Sequence, residues 1–151
     1  MLGNVVRRWV VGTDDVVGWA VGKLPRASWP LVEEHDDHCL VIGPGGLFSL
    51  HPVASVPQSP DDAVRRIHAA ARAASDRLLS ITSDRVWPLS VGVLPVDSLQ
   101  SEKAAFGVHF VSGDHLLRWL LTRPEALDDI TRSNWARCMA EALGDTESPS
   151  V

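Results

Sequence analysis

The chain has 151 residues, about the length of one domain and enough to bury a single core. With 45% apolar and 22% charged residues its composition is that of an ordinary globular protein, which excludes a disordered or fibrous chain. A net charge of −5, from 14 basic and 19 acidic residues, argues against tight non-specific nucleic-acid binding, which depends on releasing phosphate counterions; it leaves room only for a local basic patch.

The chain opens with MLGNVVRRWVVGTDDVVGWAVG, in which Arg7, Arg8, Asp14 and Asp15 interrupt every apolar run, so neither a signal peptide nor a membrane span is expected. Val5, Val6, Trp9, Val10, Val16, Val17, Ala20, Val21 and Leu24 recur at helical spacing, and predict one long or broken helix that ends at Pro25. The opposite face carries Arg8, Gly12, Asp15 and Trp19. A tryptophan on a polar face is either wrapped by the following loop or offered to a partner, which makes Trp19 the candidate partner contact.

Residues 29–33, 39–42 and 47–50 read as strands, the last two joined by Gly43-Pro44-Gly45-Gly46. That glycine-rich turn leads into a strand and not a helix, so it is a hairpin and not a phosphate loop. After a Ser/Pro-rich connector at 54–60, Ser59-Pro60-Asp61-Asp62 supplies a cap, a first-turn proline and acids, and starts a helix over 61–80. Its buried face is Val64, Ile67, Ala71, Ala74 and Leu78; Arg65, Arg66, Arg72 and Arg77 lie elsewhere on it, and Arg65, Arg66 and Arg72 are the candidate nucleic-acid contacts. Strands at 86–94 and 107–111 follow, then a helix over 114–121 and a last helix from Pro124 through Leu127, Ile130, Trp135, Met139 and Leu143. Residues 1–143 are expected to form one domain and 144–151 a flexible tail. The order predicts an α/β domain, a mixed sheet flanked by helices.

The stretch 35–53, HDDHCLVIGPGGLFSLHPV, concentrates the polar chemistry. A four-residue loop over 43–46 pairs Ile42 with Leu47 and sets His38 opposite His51, with Asp36 and Val53 on the same face and Cys39, Val41, Phe48 and Leu50 on the other. Opposed side chains are about 5 Å apart at Cβ, near enough to share a metal or a substrate oxygen. His38 and His51 are therefore candidate imidazole ligands, with Asp36, Asp37 or His35 completing a shell; a hydrogen-bonded surface pair is the other reading. The two cysteines, Cys39 and Cys138, follow no zinc or disulfide spacing, so reduced cytoplasmic thiols are expected. No GxSxG or HExxH motif and no cysteine with a histidine partner is present, and His109 and His115 read as isolated histidines.

Taken together, the run Leu40-Val41-Ile42-Gly43-Pro44-Gly45-Gly46-Leu47-Phe48-Ser49-Leu50, the early Gly12-Thr13-Asp14-Asp15, the alanine/arginine-rich helix and Gly107-Val108-His109-Phe110-Val111 resemble the nuclease-related domain (NERD) family. The resemblance covers most of the chain and implies a restriction-endonuclease-like core. In active members an aspartate, usually followed by histidine, begins the first hairpin strand, and an acid or amide followed two residues later by lysine ends the second. Those positions hold His38, Cys39, His51 and Val53 here, and Asp15 resembles the helix acid of the site. Shifting the alignment by one residue places Asp37-His38 on the family's pair, at the cost of a bulge before Gly43. Valine cannot supply the charge that lysine offers a scissile phosphate.

The resemblance thus implies a catalytically degenerate nuclease domain, a bacterial, cytoplasmic, non-catalytic subunit that binds a protein partner or a nucleic acid and needs no cofactor. The alternative is a metal-dependent nuclease in which His38, His51 and Asp36 or Asp15 hold a divalent or transition metal.

Overall fold

A computed structural model describes residues 13–83 and 85–147, with the side chains of residues 16–83 and 85–141. Its elements are α1 (Thr13–Gly22), β1 (Leu31–Glu34), β2 (Cys39–Gly43), β3 (Gly46–Pro52), α2 (Asp62–Thr82), β4 (Leu89–Leu94), β5 (Lys103–Ala105), β6 (Val108–Ser112), α3 (Gly113–Leu121) and α4 (Asp129–Glu147). The strands form one mixed sheet in the order β1-β2-β3-β4-β6-β5. The first three make an antiparallel meander, β4 runs parallel to both β3 and β6, and β5 closes the far edge antiparallel to β6.

Helices cover both faces, as strands apolar on both sides require. Cys39, Val41, Phe48 and Leu50 pack with Val91, Val93 and Val111 against Val17, Val21, Leu116 and Trp119 of α1 and α3. Leu31, Leu40, Ile42 and Leu47 pack on the other face against Ala74, Leu78, Ala136 and Met139 of α2 and α4. The predicted class, α/β with a mixed sheet flanked by helices, is the observed one. Among the described residues, no helix is long and apolar enough to cross a membrane.

The hairpin keeps the predicted register, with Ile42 on Leu47 and Cys39 on Leu50, but Gly43 and Gly46 also pair, so the connection tightens to Pro44-Gly45. Gly46 takes φ +127°, a conformation side chains rarely adopt. Gly43 is required for another reason: a Cβ there would stand 2.3 Å from a ring carbon of Trp29, which is itself 2% exposed. Gly43→Ala is therefore expected to destabilise the fold by about 1–3 kcal/mol, the usual cost of overpacking. Chemical denaturation checks this; an unchanged midpoint would show that Trp29 has room to move.

Four expectations need correction. β4 starts at Leu89 and not at 86, because Pro88 has no N–H to offer a ladder. Trp87 is left 57% exposed, with the Arg85 guanidinium 5.4 Å from its ring centre. β5 was not expected at all; its three residues, Lys-Ala-Ala, carry almost no strand propensity and pair because the chain turns back at Phe106-Gly107, both with positive φ. The last helix begins at Asp129 rather than Pro124: the Ala126 and Leu127 N–H groups donate to the Pro44 carbonyl, holding the segment against the hairpin turn. The Asp128 carboxylate then accepts from Thr131 N–H at 2.7 Å, the arrangement of an N-cap. α4 continues to Glu147, past position 143, so residues 144–147 of the tail expected at 144–151 are helical, and 148–151 lie outside the described residues. So do residues 5–12 of the expected first helix.

Candidate functional site

β1 and β2 are joined by a tight turn, closed by the His35 N–H donating to the His38 carbonyl at 2.8 Å. The strand geometry stops at Glu34 and resumes at Cys39, so period-two counting fails between them. Asp36 consequently sits exposed in the turn between the strands and not in a strand position paired with His51. Its neighbour Asp37 takes the role assigned to it, accepting from His38 Nδ1–H at 2.8 Å.

His38 and His51 do meet. Their rings stack with centroids 5.0 Å apart and planes 13° from parallel. His35 extends the stack, its ring 4.6 Å from His38 and 4° from parallel. In the sequence His35 is only one of several possible shell ligands; three stacked imidazoles have no sequence signature, because the turn alone brings the first two together. At one end, His35 Nε2–H donates to Glu33 Oε1 at 2.6 Å, and Arg77 grips the same carboxylate with two further bonds, Nη1 to Oε1 at 2.9 Å and Nη2 to Oε2 at 2.6 Å. At the other end, His51 Nε2 and Ser49 Oγ are hydrogen-bonded at 2.5 Å. Ser49 is fully buried and His51 is 4% exposed. Arg77, expected on the solvated surface of α2, is thus part of this structure.

Electrostatics follow from burial. Desolvation, then the neighbouring His38 and Arg66, push the His51 pKa down to about 3. Burial also lowers His38, with Asp37 pulling the other way, while the His38 hydrogen bond holds Asp37 below the usual carboxylate range. Burial alone would raise Glu33, but its bonds to His35 and Arg77 outweigh that and hold it low. At neutral pH the stack is therefore uncharged at its inner end, between ionised Asp37 and the Glu33–Arg77 pair.

A metal does not fit this arrangement. An imidazole lone pair lies in the ring plane, so the lone pairs of stacked, near-parallel rings run side by side and do not converge on one ion. Among the described residues, no three His, Cys, Asp or Glu side chains are grouped to hold a metal. Asp15 falls in the first turn of α1, and its side chain is outside the described ones.

Val53, at the position where the resemblance calls for lysine, packs with Ile67, Leu94, Val108 and Phe110. A cavity of about 70 Å³ opens beside it, lined by Asp37, His51, Pro52, Val53, Ala63, Arg66 and Ile67. Arg66 is the only one of the proposed basic contacts that reaches it. Arg65 is paired with Asp62 at 2.5 Å on the surface, and Arg72 is exposed about two turns further along α2.

Trp19 stands apart from the histidines, 56% exposed, with the Lys23 ammonium 5.7 Å from its ring centre. It borders a groove of about 370 Å³ with Val16, Val96, Gly113 and Asp114. His109 is not isolated: its Nδ1–H donates to Glu102 Oε2 at 2.8 Å, and Trp119 Nε1–H donates to the other oxygen at 2.8 Å. Arg123 covers the Trp119 ring at 4.5 Å. This cluster ties the β5 edge to α3, and the spacing of its members, from 102 to 123, gave no sequence signal. Comparison with protein-family models, with curated proteins and with solved structures returns no match.

Proposed function

We propose that the chain is a catalytically degenerate nuclease-related domain that serves as a binding or assembly subunit for a protein partner. The observation that carries this reading is Val53: where the resembled family needs a cation at the phosphate, the side chain is apolar and packed against Ile67, Leu94 and Phe110. The succession of helix, antiparallel meander, helix and parallel strand supports a restriction-endonuclease-like core. His38 and His51 stand in for the family's carboxylates as neutral, stacked rings, which offer neither the negative charge nor the converging lone pairs that a catalytic cation needs. Free Cys39 and Cys138 accord with a cytoplasmic setting. The exposed Trp19 and its groove supply the surface for a partner, and the pairing of Arg65 with Asp62 weighs against nucleic acid as the principal one.

The expected result is no cleavage of single- or double-stranded DNA or RNA in Mg²⁺ or Mn²⁺, and no change when Val53 is replaced by Lys alone, because the carboxylates are also missing. Metal-dependent cleavage that disappears in the His38→Ala, His51→Ala double variant would establish the remodelled metallonuclease in its place.

A further inference from the structure

The groove beside Trp19 lies at the carboxyl end of β4, where the chain leaves the sheet through Val96, and at the first turn of α3. Its floor depends on Gly113. A Cβ there would fall 2.0 Å from Val16 Cγ1 and 3.1 Å from the Leu94 carbonyl oxygen, so only glycine lets α1 and α3 close beneath the groove. Two large apolar side chains, Trp19 at 56% and Val96 at 54% exposure, stand at its edge, both largely exposed. An apolar centre with a polar rim is the layout of an interaction site.

Asp114 at the rim and Asp97 beside it are the acids there, with His115 Nε2 3.6 Å from the Asp114 carboxylate and Lys23 next to Trp19 as the basic groups. The Asp114 carboxylate accepts from the Asp97 N–H at 3.1 Å, pinning a turn in which Asp97 takes φ +65° and leaves its own carboxylate exposed. Asp114 stays ionised, its pKa lowered by that backbone hydrogen bond. The Trp19 ring already holds one cation, the Lys23 ammonium, over its face. Apolar floor and acidic rim specify the chemistry of what fits there.

Building on the reading as a binding subunit, we propose that this groove docks an apolar segment of a protein partner flanked by arginine or lysine, the apolar residues covering Val16, Trp19 and Val96 and the basic ones facing Asp97 and Asp114. It is the helix-in-groove mode, with Trp19 as the anchor on this side.

The test uses two synthetic amphipathic helical peptides with the same apolar face, one with arginine and one with glutamate at the flanking positions, titrated against the full chain by fluorescence anisotropy. The arginine peptide is expected to bind about tenfold or more tighter, a difference near 1.4 kcal/mol. The Asp97→Asn, Asp114→Asn double variant should remove most of that preference, and Val96→Glu should abolish binding of both peptides. Val96 is exposed, so its replacement leaves the core intact, and circular dichroism confirms the fold of each variant. Binding of neither peptide, equal binding of both, or binding indifferent to Val96→Glu overturns the proposal. Self-association that Val96→Glu abolishes would overturn it as well, by showing that a second copy fills the groove. Nuclease activity would sink the reading of the histidine site without touching the peptide result, and loss of peptide binding would leave the nuclease assay standing.

Discussion

Replacing Arg77 with Ala is expected to cost the fold about 3–5 kcal/mol, the penalty for stranding a buried charge. Glu33 is 1% exposed, and its carboxylate depends on the two-pronged guanidinium of Arg77, which also reaches the Met139 carbonyl at 3.4 Å. Arg77 therefore ties β1, α2 and α4 together through one side chain. Removing it leaves Glu33 with His35 alone, and because His35 is the outer ring of the stack, the loss passes to the histidine site. The sign with pH is fixed. In the intact protein the Glu33 pKa is held low, so its contribution is present above the ordinary carboxylate range and lost as pH falls through the depressed value. In Arg77→Ala a carboxyl without its cation is easier to bury when protonated, so the deficit should shrink on acidification. Urea denaturation at neutral and mildly acidic pH measures both effects. Arg77→Lys, which keeps the charge but not the fork, should fall between, and Glu33→Gln with Arg77→Met should recover much of the loss. A deficit under about 1 kcal/mol for Arg77→Ala, within the range of surface pairs, would show that the pair is not essential.

Glu33 and Arg77 also mark where sequence reading stopped. Two glutamates at the end of Leu31-Val32-Glu33-Glu34 look like solvated residues leaving a strand, yet both are buried, Glu33 beneath the Arg77 side chain of α2, which also reaches α4. An arginine 44 positions away cannot be seen as the partner of Glu33 from local spacing. By contrast the β2–β3 register was legible, because alternating burial and a glycine-proline turn constrain one another: a one-residue slip would have moved Phe48 and Leu50 off the α1–α3 core. The facing of His38 and His51 followed from that register. The position of Asp36 did not, because the count was carried through a turn in which the backbone is not extended. β5 escaped for a related reason: its pairing is imposed by the positive-φ turn that precedes β6 and not by its own residues.

The histidine stack should make the protein acid-sensitive above the pH at which carboxylates protonate. His51 falls from an ordinary value near 6.5 to about 3 because it is buried beside His38 and Arg66. In that interval the unfolded chain binds a proton that the folded chain refuses, so stability declines as pH is lowered. For His51 alone the decline between pH 7 and pH 5 is roughly 2 kcal/mol, and it tends toward a limit on the order of 5 kcal/mol at lower pH. His38, also lowered, acts in the same direction. Asp37 and Glu33, the acids that face the stack, stay ionised through this window and add their own losses only at lower pH. Protonation of two stacked rings would place like charges about 5 Å apart, so opening the turn at 35–38 is the relief available to the folded chain. His51→Gln separates this effect from the rest: glutamine keeps a hydrogen-bonding group for Ser49 and cannot titrate, so its stability should vary less between pH 7 and pH 5 than that of the parent chain. Parallel slopes for the two proteins across that range would mean that His51 accepts its proton in the folded state, and that the stack is not a closed, neutral structure.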